Sequence, residues 1–151
     1  MKVNIFTILF FIILCFCSCG KHVNQINIGH EVEKSFFLNN NLDSIKENWN
    51  EILKQKMINS NLSRFEIKKG IDKVNNKTYY YLIGRSADDS VKGATLLYNR
   101  NKKIFISKDD MIVFCYGCEA TYPSFEYNKW GWSCESQTLS TNCKKISIIK
   151  F

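Results

Sequence analysis

The sequence predicts an α+β domain in which one main amphipathic helix packs on an antiparallel meander of about five strands. Three observations support this fold class. Apolar residues recur at helical spacing over residues 42–57, strand-like segments joined by short turns run over residues 64–116, and four cysteines crowd the remainder. We expect these cysteines to form a disulfide-stapled C-terminal segment over residues 115–143.

The first 18 residues have the layout of a secretory signal. A single cation, Lys2, precedes an apolar run from Ile5 to Cys17 that only Thr7 interrupts, and small residues follow. A membrane-spanning helix needs about 20 apolar residues, so this run is too short to cross a bilayer. The sequence therefore predicts export, with a short uncleaved anchor as the alternative.

The signal ends with Ser18 followed by Cys19. This pattern resembles a bacterial lipoprotein signal, in which a small residue precedes a cysteine that is lipidated on sulfur and becomes the new N-terminus. The resemblance implies that Cys19 carries the lipid, with palmitate among its acyl chains. Cleavage before Cys17 is the alternative; it would place Leu14 in the usual leucine position but put bulky Phe16 next to the cut.

The chain after the leader is expected to divide into a tether and one domain. Residues 19–41 are predicted to be the lipidated N-terminus and tether, and residues 42–151 the globular domain. Apolar residues near helical spacing predict a short helix in the tether: Val32, Phe36 and Phe37. Gly20 beside the lipidated cysteine, where Asp would signal retention, implies sorting to the outer membrane, facing the periplasm.

The chain is basic, with 21 basic and 14 acidic side chains and a formal net charge of +7. Such an excess is compatible with phosphate-rich surfaces such as lipopolysaccharide. The lysines are interspersed with Asp and Glu and form no block of like charges. We therefore expect no specific nucleic-acid partner.

The segment LDSIKENWNEILKQKMINSN is the clearest helix. Asn41 is the predicted N-cap, and lysines and glutamates occupy the side opposite an apolar stripe. Trp49 is a candidate ligand platform, but its helical spacing favours a place in the core. The stripe consists of Leu42, Ile45, Trp49, Ile52, Leu53 and Met57.

From Arg64 the pattern changes to β-strands. RFEIKK alternates, Gly70 predicts a bulge, and Asn75-Asn76 predicts the turn of a hairpin before KTYYYLIG. SVKGATLLY, KKIFIS and MIVFCY follow after short turns, which join antiparallel neighbours. The pair Asp88-Asp89 is a candidate for acid–base chemistry, but turn formation explains these residues at least as well.

Cys115, Cys118, Cys134 and Cys143 are spaced C-x2-C-x15-C-x8-C. In an exported chain we expect two disulfides that join each of the first two cysteines to one of the last two, and the sequence leaves the choice of partners open. A zinc site is an alternative, but the second pair lacks the tight spacing of a zinc ribbon. The C-x2-C also resembles thioredoxin-like oxidoreductases, yet Pro123 is the only proline, and that fold needs a second, cis proline.

The sequence offers few candidate catalytic or ligand-binding residues. The only histidines, His22 and His30, lie in or next to the tether, so none is expected to activate a nucleophile. We assign no catalytic residue, no metal site and no cofactor. Trp130 and Trp132 are candidate ligand contacts within an aromatic-rich stretch, and packing among the disulfides is the favoured alternative.

The segments KTYYYLIGRSADDSVKGATLL, CYGC, WSC and TNC, with the lipoprotein-type N-terminus, resemble small uncharacterised lipoproteins of Gram-negative bacteria that share a C-terminal C-x-G-C cysteine cluster. The resemblance implies a cell-envelope location and a disulfide-stapled tail. We expect a lipid-anchored, non-catalytic binding or structural module whose partner is a glycan or an envelope protein. The competing class is an envelope thiol-disulfide or zinc-binding protein that uses the C-terminal cysteines.

Overall fold

The computed structural model describes residues 24–72, 75–117, 121–126, 131–136 and 144–149. Within these ranges, strands far outweigh the single helix. The elements, in chain order, are β1 (Gln25–Val32), β2 (Ser35–Leu38), α1 (Asn41–Gln55), β3 (Leu62–Ile71), β4 (Thr78–Ser86), β5 (Val91–Arg100), β6 (Lys103–Ser107), β7 (Met111–Tyr116), β8 (Thr121–Glu126), β9 (Gly131–Ser136) and β10 (Lys144–Ile149).

Eight of the strands form one antiparallel sheet, and β8 and β9 form a separate hairpin. The long strand β5 is the junction of the sheet. Residues 91–94 of β5 pair with β7, and residues 98–100 pair with β6. Its opposite edge pairs with β4, which in turn pairs with β3. Because β1 and β2 extend the sheet beyond β6, and β10 extends it beyond β7, the strands approach a closed barrel.

The prediction of a five-strand meander is wrong in strand number and in connectivity. The five predicted strands correspond to β3–β7, but the sheet contains eight strands and the fold is mostly β. Consecutive strands β6 and β7 do not pair with each other; both pair with β5. The ten-residue length of β5 allows this, because its two halves bind different neighbours on one edge.

The predicted tether with a short helix is also corrected. Residues 25–38 form the β1–β2 hairpin, which belongs to the sheet. Phe36 and Leu38 pack against the core, whereas Phe37 between them is 51% exposed. This alternation has a period of two, so the helical spacing of the same aromatic residues does not produce a helix.

Helix α1 covers the inner face of the sheet, as predicted. Its buried residues are Ile45, Trp49 and Leu53. The Trp49 ring is fully buried and lies 5.5 Å from the ring of Phe65 and 5.8 Å from that of Phe114, measured between centroids. The core position of Trp49 is therefore confirmed. Among the described residues, no helix is long and apolar enough to span a membrane.

Both ends of α1 differ from the prediction. Asn41 is the first helical residue rather than the N-cap, and its backbone N–H donates to Asn39 Oδ1 at 3.0 Å. Met57 lies beyond the helix, with φ 57° and 95% exposure, and is not part of the apolar stripe. The helix ends here because the N–H of Ile58 donates to the carbonyl of Leu53, the bond of a Schellman motif, which requires a left-handed residue at position 57.

A third layer covers the outer face of the sheet. Phe125 of β8 and Trp132 of β9 pack against Tyr79 of β4, and the backbone N–H of Phe125 donates to the Tyr79 hydroxyl at 3.1 Å. The bulge predicted at Gly70 is wrong, because Gly70 pairs regularly with Tyr79. A Cβ at residue 70 would overlap the Tyr79 ring, so the glycine leaves room for this aromatic contact instead.

Candidate functional site

The structure describes only part of the predicted cysteine and aromatic cluster. Cys115 and Cys134 form a disulfide, one of the pairings that the sequence allowed. Cys118, Cys143 and Trp130 lie outside the described residues, as does the predicted lipidation site Cys19.

The Cys115–Cys134 bond joins two layers of the fold. Cys115 lies on β7 in the sheet and is fully buried, and Cys134 lies on β9 in the outer hairpin. Both sulfurs are oxidised, so neither is a thiolate ligand for zinc. Among the residues that the structure describes, no group of three or more His, Cys, Asp or Glu side chains could hold a metal ion.

Trp132 packs in the interior and is not an exposed ligand contact. It is 3% exposed, and its ring contacts those of Tyr79, Tyr81 and Phe125 at centroid distances of 6.4, 5.8 and 5.2 Å. A small cavity of about 70 Å³ between the hairpin and the sheet reaches it. Trp132 therefore holds the outer layer in place.

The Asp88-Asp89 pair belongs to the turn between β4 and β5. One carboxylate oxygen of Asp88 accepts hydrogen bonds from the hydroxyls of Ser86 and Ser90, at 2.6 and 2.8 Å, which lowers its pKa to about 2. Asp89 forms an ion pair with Arg64 at 3.0 Å. A carboxylate that stays ionised in this way is a poor general base, so the turn role is the better explanation.

A cleft of about 860 Å³ opens at the C-terminal end of α1, between Glu47 and Asn61. Its central amide, Asn50, is used by the fold, since it accepts from the N–H of Leu62 at 2.7 Å and donates to the carbonyl of the same residue at 3.2 Å. Lys54 and Glu51 on the rim form an exposed pair at 4.0 Å. Asn50 and the Lys54–Glu51 pair of this cleft therefore already have partners within the domain.

A different surface combines aromatic rings with cations. Phe37, His30, Lys103 and Arg100 pair directly across the four neighbouring strands β2, β1, β6 and β5. Directly paired residues project from the same face of a sheet, so these four form one row on the outer face. A second row on that face contains Phe105 and Tyr98, which also pair. We call these two rows the outer-face platform: Phe37, His30, Lys103, Arg100, Phe105 and Tyr98.

The platform is the part of the outer face that the β8–β9 hairpin leaves uncovered within the described structure. His30, Lys103 and Arg100 are exposed, and Phe105 is half-buried. The rings of His30 and Phe37 stack with centroids 5.6 Å apart and planes 19° apart. A cleft of about 420 Å³ lies against His30, Lys103 and Phe105, so a ligand group has room between the rings and the cation.

A β-bulge places His30 on this face. The register of β1 against β6 shifts between Asn27 and Gly29, so that Ile28 is an extra residue in β1. Without the shift, strict alternation would put His30 on the inner side with Ile28. Gly29 permits the local geometry, because a Cβ there would overlap the backbone of Phe37 on β2. Bulges recur beside functional sites because they redirect a side chain.

Side chains of Asn27, Asn39 and Asn41 form hydrogen bonds around the bulge in β1. The side chain of Asn27 donates to the carbonyl of Gly29 at 3.2 Å and accepts from Asn39 at 2.9 Å. The Asn41 side chain donates to the carbonyl of Asn27 at 2.8 Å. These bonds tie the start of α1 to the bulge and explain why asparagines gather at residues 39–41.

The platform is not predicted from the sequence. His30 is considered there only as a catalytic base near the tether, because local patterns do not predict the β1–β2 hairpin. Part of the platform is visible in the sequence. Alternation in the segments SFFL and KKIFIS places the rings of Phe37 and Phe105 on the side of the strand away from the core. The pairing of His30 with Lys103 depends on the bulge and on a non-local strand contact, and neither leaves a local sequence pattern.

Comparisons with protein-family models, curated proteins and solved structures find no match to this chain.

Proposed function

We propose that this protein is a lipid-anchored, non-catalytic binding module of the cell envelope. Cys19 carries the lipid after removal of residues 1–18, and the domain faces the periplasm from the outer membrane. The proposal includes membership of the C-x-G-C lipoproteins that the sequence resembles. Its partner is a glycan or another envelope protein, bound at the surface of the domain.

The observation that carries this proposal is the disulfide between fully buried Cys115 and half-buried Cys134. Disulfides persist in oxidising compartments and are rare where thiols are kept reduced. A bond that joins the sheet to its outer layer is expected to form during folding outside the cytoplasm. It supports the export that the leader predicts.

The burial of Cys115 also bears on the competing thiol-disulfide class. Exchange requires a thiolate to attack a disulfide sulfur, so a redox-active pair needs an accessible sulfur. Cys115 is fully buried under the hairpin. This favours a structural staple over a redox centre for this pair of cysteines.

The start of the domain is consistent with a short tether. β1 begins at Gln25, and the six chain steps from Cys19 to it span at most about 20 Å. The eight residues of β1 then run for about 26 Å from the tether to the turn before β2. In a lipid-anchored protein, the platform residues of β2 and β6 that pair near that turn lie at the end of β1 remote from the anchor.

The test compares two cysteine variants in cells. Cys19→Ala should abolish incorporation of labelled palmitate and release the protein from the membrane fraction. The tether contains no second apolar segment that could hold the protein at the membrane once the lipid is lost. Cys17→Ala is the matched control and should be labelled and fractionate like the parent. Unchanged labelling of Cys19→Ala would refute the assigned anchor, and loss of labelling only in Cys17→Ala would move the anchor to that residue.

Outer-membrane sorting is measured on the same cells by density-gradient separation of the two membranes. The parent protein should sediment with the outer membrane. Sedimentation with the inner membrane would contradict the proposed location while leaving lipid attachment in place.

A further inference from the structure

We propose that the outer-face platform binds an acidic polysaccharide, with sugar rings against its aromatic side chains and carboxylate groups on Lys103 and Arg100. This inference rests on the proposed function of an envelope binding module, and it names the ligand class and the site. We assign no reaction to the platform and infer binding alone.

The row of four paired residues sets the size of the ligand. Phe37 and Arg100 lie at its ends, three strand spacings apart, which is about 14 Å. The stacked rings of Phe37 and His30 occupy one half of the row, and the two cations occupy the other. A ligand that crosses the strands therefore meets an aromatic surface and then positive charge over the length of a short oligosaccharide.

The two cations are available for a ligand. Within the described structure, neither Lys103 nor Arg100 has a carboxylate at ion-pair distance, and both are exposed. The nearby carboxylate of Glu31 is hydrogen-bonded to Asn99, whose backbone pairs with inner-face Ile104. Arg100 presents a planar set of donors that matches a carboxylate in bidentate geometry.

Two further cations strengthen the positive field at this end of the sheet. Lys34 lies in the turn between β1 and β2, and Lys102 lies in the turn between β5 and β6, both exposed. The turns are adjacent, because the N–H of Glu31 donates to the carbonyl of Lys102 at 2.8 Å. Against the four cations of this region stand the carboxyl groups of Glu31, Glu33 and Asp110, so the net field at the platform is positive.

The shape of the surface favours a polysaccharide over a membrane. Membrane-binding surfaces insert protruding apolar side chains between lipids. Here a shallow, open cleft of about 420 Å³ is lined by His30, Lys103 and Phe105. A sugar ring can enter the cleft and contact the aromatic side chains, while an acidic substituent reaches the cation beside it.

The binding test uses the full-length lipidated protein in detergent micelles and an oligogalacturonate as the probe. We expect saturable binding by calorimetry at low salt, weakened by added salt as for other charge-assisted contacts. The methyl-esterified oligomer keeps the sugar rings and removes the charges, so it should bind at least about tenfold more weakly. Equal binding of both oligomers would overturn the role of Lys103 and Arg100.

Variants distinguish binding at the platform from non-specific attraction by the positive charge of the protein. Arg100→Gln and Lys103→Gln should each weaken oligogalacturonate binding by about five- to tenfold, and Phe37→Ser by about fivefold or more. Arg100→Lys keeps the positive charge but loses the bidentate donor geometry, so it should weaken binding, though by less than Arg100→Gln. Lys54→Gln is the matched control, since it removes an exposed charge from the helix side and should leave binding unchanged. Equal weakening by Lys54→Gln would show non-specific charge binding and refute the site.

Competing ligands complete the test. Single-stranded oligo(dT) or vesicles of anionic phospholipid that bind as tightly as oligogalacturonate, with the same sensitivity to Phe37→Ser, would overturn the assignment to a polysaccharide. No oligogalacturonate binding at millimolar concentration would also refute it, even if palmitate labelling places the anchor on Cys19. Binding without that labelling would support the site and reject the anchor, so the two proposals fail separately.

Discussion

Asp110 is a residue whose burial opposes its ionisation. Its Oδ1 accepts a hydrogen bond from the Tyr98 hydroxyl at 3.0 Å, and its Oδ2 is buried with no hydrogen-bond partner in the described structure. Burial raises the pKa of this carboxyl, and the charge of Asp109 adds to the rise, whereas the Tyr98 hydrogen bond opposes it. The side chain lines the small cavity that also reaches Trp132.

Asp110→Asn should raise the melting temperature near neutral pH. Because the folded pKa lies above the ordinary value of 3.8, the folded protein binds more protons than the unfolded chain between these two values. Stability therefore falls as pH rises through that window, and the amide removes the loss. Thermal melts over a pH series should show the gain shrinking below the ordinary value, where both states of the parent are protonated.

A lower melting temperature of Asp110→Asn at neutral pH would contradict this prediction. It would mean that the ionised carboxylate has a stabilising partner. Asp109→Asn is the comparison: it removes only the smaller electrostatic contribution of an exposed neighbour, so it should raise the melting temperature by less than Asp110→Asn.

Backbone conformation at single residues explains two hairpins. Glu33 and Lys34 have φ of 48° and 69°, and Asn101 and Lys102 have φ of 51° and 63°. Two consecutive positive values define the type I′ turn that suits antiparallel hairpins. Asn101 is a residue type that favours this conformation, and its turn was predicted. Glu33 and Lys34 do not favour it, which is why the first hairpin was missed.

At the scale of elements, α1 depends on one large side chain. Trp49 is fully buried between the helix and the sheet, in contact with Phe65 and Phe114. Gly93 on β5 makes room for it, since a Cβ there would lie 2.9 Å from the indole. The indole N–H has no hydrogen-bond partner in the described structure. Trp49 therefore contributes through packing alone.

Trp49→Ala should lower the free energy of unfolding by about 3–5 kcal/mol, because it leaves a large cavity between α1 and the sheet. Trp49→Phe should cost much less, since it keeps an aromatic ring and removes an unpaired buried N–H worth about 1–3 kcal/mol. Chemical denaturation of the two variants measures both values. Lys54→Ala, on the exposed side of the same helix, is the control and should differ little from the parent.

A Trp49→Ala variant that unfolds like the parent would contradict this account of the core. A variant of unchanged stability that lost a ligand would instead assign Trp49 to binding.

At the scale of the whole molecule, the disulfide connects layers that also meet through aromatic packing and the hydrogen bond from Phe125 to Tyr79. Helix α1 covers one face of the sheet, and the β8–β9 hairpin covers part of the other. The Cys115–Cys134 bond crosses from sheet to hairpin with a sequence separation of 19. The β8–β9 hairpin is small, so a covalent link contributes a large share of its attachment to the sheet.

Replacement of both Cys115 and Cys134 by Ser should lower the free energy of unfolding by about 3 kcal/mol, the chain-entropy value for a loop of this size. Urea denaturation measures the loss. The parent protein under reducing conditions should lose at least as much, because reduction also opens the second disulfide predicted for Cys118 and Cys143. A double variant as stable as the oxidised parent would show that aromatic packing alone holds the hairpin.

Local patterns were sufficient for much of this fold. The helical spacing of Ile45, Trp49 and Leu53 predicted α1, and alternation with short turns predicted β3–β7. These features depend on residues a few positions apart, so the period of a helix or strand is visible in the chain itself. The cysteine spacing likewise indicated downstream partners for Cys115.

Only the tertiary structure decided which of the non-local contacts form. Pairing of Cys115 with Cys134, the attachment of β6 and β7 to the same edge of β5, and the bulge at Ile28 all depend on how distant segments fit together. The outer-face platform follows from these choices, because it brings His30 beside Lys103 and Arg100. Hydrophobic periodicity states which side of a strand is apolar, but the neighbour across a sheet is selected by packing and register.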